Sequence, residues 1–389
     1  MRLPMLLVAA TAAGLGGCGS PDSGPAAPAP VPTPRAVSSP ALVVTTAARS
    51  SSSEPRAAQL SVYVIAPDGR LVQAGPSEPI GSVSGVAAAS YAATGGLYRQ
   101  VLTRSGGPST LVTYQLDLST AVFTRLASAE LPWHGTTAAL HPNGRFLYAA
   151  AGAQALVGYE LDPGSGALLR ALPGVPFTWD APSGASDLSL APSGRFAWAH
   201  VRIPDGYHGN RQVVVSLAVD PSTGALRTTD ETPVYDRISS LAVSPREDTA
   251  YLVDRSNGRL GRFTWRRFDV DGAGALVGEE PWGGDYAGGL HFTPSGRFLL
   301  SAEDGDYLTL VERTSDGRTV RGASIPVPRS STWDARRTVL QHGGCAYVVG
   351  DQGIGVVRVD EPARALTLLQ DAGTGGQEIL SVVLAVPAP

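Results

Sequence analysis

The 389-residue chain contains no lysine, so all 30 of its basic residues are arginine. With 46 glycines, 31 prolines and abundant alanine, the bias reads as a base-composition habit of the source genome rather than a functional device. Charge is scarce altogether: charged residues make up 16% of the chain, the net charge is −4 and the pI is near 5.9. That balance excludes nucleic acid as a partner. Cysteine is nearly missing as well. Only Cys18 and Cys345 occur, so the folded part has no internal disulfide, even in a compartment that would permit one. Helical periodicity is absent, since no stretch of ten or more residues keeps a 3.6-residue apolar repeat. Missing too are GxSxG, HExxH, paired CxxC and any phosphate-binding glycine loop. No cofactor and no metal is indicated.

What is present starts at the N-terminus. MRLPMLLVAATAAGLGGCGS has one positive charge at Arg2, an apolar run from Leu3 to Leu15, and then Leu15-Gly16-Gly17-Cys18. The run is too short to span a bilayer as a helix, which takes about 20 residues, and its layout is that of an export signal. Its ending resembles a bacterial lipobox, in which small residues admit the signal peptidase and the cysteine thiol takes a diacylglycerol. We therefore expect residues 1–17 to be a lipoprotein signal peptide and Cys18 to be lipidated. Several buried acyl chains anchor a protein stably where one does not. Gly19 after the cysteine points to the outer membrane if the cell is Gram-negative. Residues 18–40 read as a tether: seven of the twenty residues from 21 to 40 are proline, giving a reach of about 60 Å at roughly 3 Å per residue.

From residue 41 to 389 the chain repeats itself. Pro142, Pro192, Pro245 and Pro294 recur about every 50 residues, in HPNGRFLY, APSGRFAW, a variant SPREDTAY, and TPSGRFLL. A second phrase interleaves, as LDPGSGAL at 161–168, VDPSTGAL at 219–226 and VDGAGAL at 270–276. Pro-x-Gly and Asp-Pro-x-x-Gly supply a fixed φ, a side chain that bonds its own backbone and a residue tolerant of φ > 0, which tight turns require. The flanks alternate on a two-residue period, as in Val213, Val215, Leu217 and Val219. Each unit is thus four short strands, the pattern of a β-propeller blade. Six complete units run from about Gly81 to Gly375. ALVVTTAA (41–48) and QLSVYVIAPDGRLVQ (59–73) supply the later strands of a seventh, and ILSVVLAVP (379–387) its innermost strand. The expected fold is all-β, a monomeric seven-bladed propeller whose first blade is closed by the C-terminal strand.

HPNGRFLYAAAGAQALVGYELDPGSGALLRALPGVPF at 141–177 resembles a blade of the seven-bladed lactonase-type propellers (YVTN-like repeats), the group of bacterial 6-phosphogluconolactonase and fungal carboxymuconate cyclase. The resemblance covers 41–389 as a rhythm and implies that fold, with lactone hydrolysis as the activity it would bring. It also implies channel-facing His and Arg about six residues before each turn proline, but the equivalents here are Thr136, Ser186, Ser239 and Gly288. His134, Arg336 and Arg337 lie nearby, outside that register, and are the catalytic candidates for a divergent lactonase.

A different constellation falls on the face opposite the regular turns. Trp133, Trp179, Trp282 and Trp333 are expected in blade-to-blade crossings, accompanied by His134, Asp180, Asp285 and Asp334. Aromatic faces beside carboxylates suit a sugar or a protein hot spot; the same rings could instead wedge between blades. The segment RIPDGYHGNR (202–211) is expected as an inserted loop on that face, bringing His208. DVDGAG at 269–274 begins like a calcium loop, but its glycine comes two places early and a third acidic ligand is missing; it reads as a regular turn. Cys345, within the apolar CAYVVG, is expected to be buried and inert. The function expected from these features is a membrane-tethered recognition module for a glycan, a peptide or an envelope partner.

Overall fold

The computed structural model describes residues 39–49, 55–104, 107–132, 137–150, 156–176, 184–205, 209–234, 237–255, 263–283, 289–303, 306–314, 319–327 and 338–387. They form seven antiparallel sheets arranged as the blades of a ring. Blade 1 is made from both ends of the repeat array. Its strands β1 (Ala41–Ala48), β2 (Arg56–Ile65), β3 (Leu71–Gln73) and β4 (Glu78–Val83) come first in the chain, and its innermost strand β29 (Gln377–Ala385) comes last. Blade 2 holds β5 (Gly85–Ala92), β6 (Leu97–Arg104), β7 (Gly107–Asp117) and β8 (Val122–Leu131), and blade 3 holds β9 (Thr137–Leu140), β10 (Phe146–Ala150), β11 (Leu156–Leu161) and β12 (Leu168–Pro176). Blade 4 follows with β13 (Gly184–Leu190), β14 (Phe196–Asp205), β15 (Gly209–Val219) and β16 (Leu226–Val234). Blade 5 contains β17 (Arg237–Val243), β18 (Thr249–Arg255), β19 (Phe263–Val270) and β20 (Leu276–Gly283). Blade 6 contains β21 (Gly289–Phe292), β22 (Phe298–Glu303), β23 (Tyr307–Arg313) and β24 (Thr319–Pro326), and blade 7 contains β25 (Thr338–His342), β26 (Cys345–Val349), β27 (Gly353–Asp360) and β28 (Ala365–Gly373). The seven-bladed propeller and its closure by the last strand are as the repeat rhythm predicts.

Alternation decides which neighbour each side chain meets. In β15, Val213, Val215, Leu217 and Val219 pack against Phe146, Tyr148 and Leu156 of blade 3. Val214, pointing the other way, packs with Ala250, Leu252 and Phe268 of blade 5. The inner three strands are therefore buried on both faces, whereas the outermost strands alternate with solvent; β8, VFTRLASAEL, is exposed or half-exposed along nearly its whole length.

Ring closure is specified by polar pairing as well as by the ladder. β29 lies antiparallel to β1, with Ala41 opposite Ala385 and Val43 opposite Val383. Gln377 Oε1 accepts from Thr46 Oγ1 at 2.7 Å and from Gln59 Nε2 at 2.6 Å, and Arg56 pairs with Glu378. A one-residue slip would break all three contacts and turn the apolar side chains to the wrong face.

Two expectations are corrected. Residues 202–205 and 209–211 are not loop: β14 and β15 run on as a ladder to Asp205 opposite Gly209, an arm longer than the hairpin of blade 3. Trp282 does not stand in a crossing. It lies in β20, with its backbone opposite Trp265 of β19. The outer edge of blade 1 also carries a second short strand, β4, paired to β2 beside β3, which the turn-rich spacer QAGPSEP does not advertise.

Candidate functional site

A four-stranded blade has two ends. The turns after its first and third strands lie at one end, called here the turn face. The links between second and third strands and the crossings between blades lie at the other, the crossing face. On the turn face the repeated phrases are locked by their own chemistry. Asp162, Asp220 and Asp271 each accept the backbone N–H two residues on, at 3.1, 2.8 and 2.8 Å. Asp220 also takes the Ser222 hydroxyl at 2.6 Å, and these bonds hold its carboxyl at about 2.

The seams between blades use the same turns. Tyr148 Oη donates to Gly224 O at 2.8 Å, Trp198 Nε1 to Gly274 O at 3.1 Å, and Tyr347 Oη to Gly69 O at 3.1 Å. Each donor is the third residue of a second strand, and each acceptor is the turn glycine of the following blade. Arg99 occupies the donor position in blade 2. It is fully buried, with Nη2 on Pro163 O at 3.2 Å. Burial lowers its pKa, opposed by the charge of Asp162. His141 is likewise structural: Asn143 N–H donates to its Nδ1 at 3.1 Å, leaving Nε2–H to donate to Gly194 O at 3.0 Å in the next blade.

The turn arginines also have fixed tasks. Arg145 and Arg170 share Glu160 at 3.0 and 2.7 Å, and Arg297 and Arg364 share Glu312 at 2.6 and 2.9 Å. Hydrogen bonds from Arg145 first, then Arg170, hold the Glu160 carboxyl below the usual range. Blade 4 lacks such a glutamate, because Ala218 stands opposite Phe196 where Glu160 stands opposite Phe146. Its Arg195 turns instead to Glu247 of blade 5, at 3.3 Å. The Glu247 carboxylate also accepts from Ser193 N at 2.6 Å and Ser193 Oγ at 2.8 Å. Sequence reading passed over Arg99 and Glu247, although each is visible as a departure from its repeat: Arg for Tyr or Trp, and Glu for the turn glycine.

Among the described residues, two of the clefts open on the turn face. One, of 340 Å³, lies between blades 5 and 6 and is lined by Ser244, Arg246, Asp248, Ser295, Arg297 and Arg313. The other, of 310 Å³, lies between blades 6 and 7. It exists because blade 7 turns on two residues, Gly343-Gly344, between the paired His342 and Cys345, where blade 3 uses four. Cys345 lines it but is buried, and that burial raises its thiol pKa. Its sulfur stands 2.4 Å from where a Cβ on Gly69 would lie. It is a packing residue, poorly placed to act as a nucleophile.

Except for Trp282, the residues expected on the crossing face are not among those described. Trp133, His134, Trp179, Asp180, His208, Asp285, Trp333, Asp334, Arg336 and Arg337 lie outside the described residues, as does Cys18. Among the described residues no group of three or more His, Cys, Asp or Glu is placed to hold a metal ion, and no helix is long and apolar enough to cross a membrane.

No family profile and no curated protein sequence matches the chain. Solved structures match its fold. A candidate 6-phosphogluconolactonase from Bacteroides uniformis aligns with a TM-score of 0.63 at 15% identity, covering 90% of this chain and 100% of its own. A second, from Bacteroides fragilis, aligns at 0.62 with 13% identity over 90% and 98%. A protein from Lactobacillus plantarum aligns at 0.60 with 15% identity over 89% and 99%. At these identities the likeness is one of fold.

Proposed function

We propose that this protein is a lipid-anchored propeller of the cell envelope whose crossing face binds a glycan, a peptide or an envelope protein. The observation that carries the reading is where the chain enters the ring. Ala41 pairs with Ala385, and Pro40 O accepts the Ile65 N–H at 2.9 Å at the foot of the Ala66–Arg70 turn. The chain before Ala41 therefore starts from the turn face. In this reading an anchor on Cys18 connects to the turn-face end of the ring and leaves the crossing face, where Trp133, Trp179, Trp333 and their polar neighbours are expected, available for binding. Loops on a rigid scaffold are where binding commonly resides. The lipobox-like Leu15-Gly16-Gly17-Cys18 supplies the anchor in this reading.

Two measurements test it. Cys18→Ala should abolish acyl labelling and move folded protein from the membrane fraction to the soluble one; a variant that stays membrane-bound would remove the anchor from the argument. Trp179→Ala/Trp333→Ala should lose binding on a glycan and envelope-protein panel while keeping the wild-type melting curve. A collapsed melting curve would make those rings core instead.

A second reading is a divergent lactonase. The fold likeness to the two candidate 6-phosphogluconolactonases favours it. Acid release from a panel of sugar and aliphatic lactones, measured against the spontaneous rate, separates the two. Turnover that disappears in His134→Ala, Arg336→Ala or Arg337→Ala would establish the enzyme.

A further inference from the structure

The seam between blades 5 and 6 breaks a rule that the other six obey. In six of the seven blades the residue before the third-strand turn packs in the same cluster as, or bonds to, the first residue of the second strand of the preceding blade. Of the seven turn residues at this position, six are apolar: Ile65, Leu116, Leu161, Val219, Val270 and Val359. Their partners include Phe146 on Val219, Phe196 on Val270 and Phe298 on Val359. In blade 6 the residue is Arg313, and its partner in blade 5 is the buried Thr249; Arg313 Nη2 donates to Thr249 Oγ1 at 2.8 Å. An apolar lock has become a polar pair, which forfeits burial energy and is the kind of local departure that functional sites show.

The neighbouring slots are filled and this one is open. Between blades 3 and 4 the His141 ring reaches Gly194 O. Between blades 4 and 5 the Glu247 carboxylate sits on Ser193 and Arg195. Between blades 5 and 6 the residue equivalent to His141 is the short Ser244, and Asp248 replaces the arginine that follows the turn in blades 3, 4 and 6. The 340 Å³ cleft is what remains. Its charge is unbalanced. Among the described residues Arg246 is exposed and has no acidic partner, Arg313 lies 3.9 Å from Asp248, and Arg297 shares Glu312 with Arg364.

We propose that this cleft binds the carboxylate of a sugar acid, held by Arg313 and Arg246. Carboxylate is the group that satisfies Arg145, Arg195 and Arg297, the arginines that follow the inner turns of blades 3, 4 and 6, at Glu160, Glu247 and Glu312, and its two oxygens match the guanidinium fork. The sugar part follows from the rest of the lining: the Ser244 and Ser295 oxygens, which donate to Asp248 and pair with Thr293 respectively, can still accept, and with the Asp248 carboxylate they face a polyhydroxylated ring with acceptors. Asp248 stays ionised as an acceptor. Burial works against its charge, but hydrogen bonds from Ser244 and Thr249 and the charge of Arg313 outweigh it and hold its pKa below the usual value. The site is on the turn face and does not depend on the proposed role of the crossing face.

The test is a titration of the full chain with D-glucuronate, followed by calorimetry and by thermal melting, with D-glucose, acetate and inorganic phosphate run alongside. Glucuronate should bind and glucose should not. Arg313→Val restores the repeat's apolar lock, so it should raise the melting temperature while weakening glucuronate about ten-fold or more. Arg246→Ala, at an exposed residue, should weaken binding by a similar factor with the melting temperature unchanged. Glucuronate affinity equal to wild type in both variants would overturn the site, as would no glucuronate binding at all. Phosphate bound more tightly than glucuronate would overturn the carboxylate assignment. Should Arg313→Val fail to fold, Arg246→Ala decides alone.

Discussion

Gly224 and Gly274 meet two requirements at once. Their φ values are +73° and +83°, and a Cβ would lie 2.6 Å from Phe146 and 2.3 Å from Phe196 respectively. Gly224→Ala should therefore cost about 2–5 kcal/mol from left-handed strain and overpacking, read by urea denaturation. The blades contain their own control. The equivalent turns of blades 2 and 7 hold Ala121 and Arg364 at φ 56° and 53°, and the residues facing them in blades 1 and 6 are Val43 and Leu300, without a donor. Glycine and donor thus disappear together. Ala121→Gly should stabilise by about 1 kcal/mol, because only the backbone strain is relieved. Asp220 makes a second residue-level case. Its carboxyl is held at about 2, below the unfolded value, so the ionised turn is fully favoured above the ordinary carboxylate range and loses that preference only as pH falls through 2. A carbon-detected NMR titration should show Asp220 still charged at pH 3; a midpoint near the ordinary value would mean that the Ser222 and Thr223 bonds do not form in solution.

Among the elements, β29 and the arm of blade 4 are expected to behave oppositely. Ending the chain before Gln377 removes the inner strand of blade 1 and leaves β1 with an unpaired edge. That chain should be recovered as aggregate, and adding the 377–389 peptide should restore some soluble ring. The β14–β15 arm extends past the ladder of its own blade. Replacing residues 203–211 with an Asn-Gly turn should shift the melting temperature by less than about 3 °C. Strand rhythm and turn prolines made the blades and the closing strand readable from sequence, because both rest on local alternation and turn stereochemistry. The arm was misread as a loop because its Pro, Gly and Asn suggest a break, yet Arg202 to Asp205 still pair outward to the tip. Trp282 was misplaced for a related reason: its distance from the next turn resembles that of the crossing tryptophans, but β20 runs on to Gly283.

At the scale of the whole molecule, sequence reading found less of the site than of the fold. The turn phrases repeat because every blade must solve the same packing problem, so their regular residues speak of architecture. Information about binding lies in the exceptions. Arg313 becomes visible only when VERTS at 311–315 is laid beside LAVDP at 217–221, register by register, which requires knowing that the two segments occupy one place in two blades. The same comparison exposes Arg99 beside Tyr148 and Trp198. The residues expected on the crossing face recur only loosely in spacing, nine to thirteen residues before a turn, so no turn stereochemistry announces their arrangement.

Cys345 gives the ring a built-in clock. Its sulfur is pressed against Gly69 where blade 7 meets blade 1, the blade stitched together from the two ends of the repeat array. Cys345 also borders the cleft between blades 6 and 7, so a probe too bulky for that cleft reaches the sulfur only when blades 7 and 1 part. The rate at which such a bulky thiol-reactive probe labels Cys345 in native buffer therefore measures how often the circle comes undone at its stitched blade. If that rate equals the rate of global unfolding, the seam is as durable as the ring itself; a faster rate would mark it as the clasp that opens first.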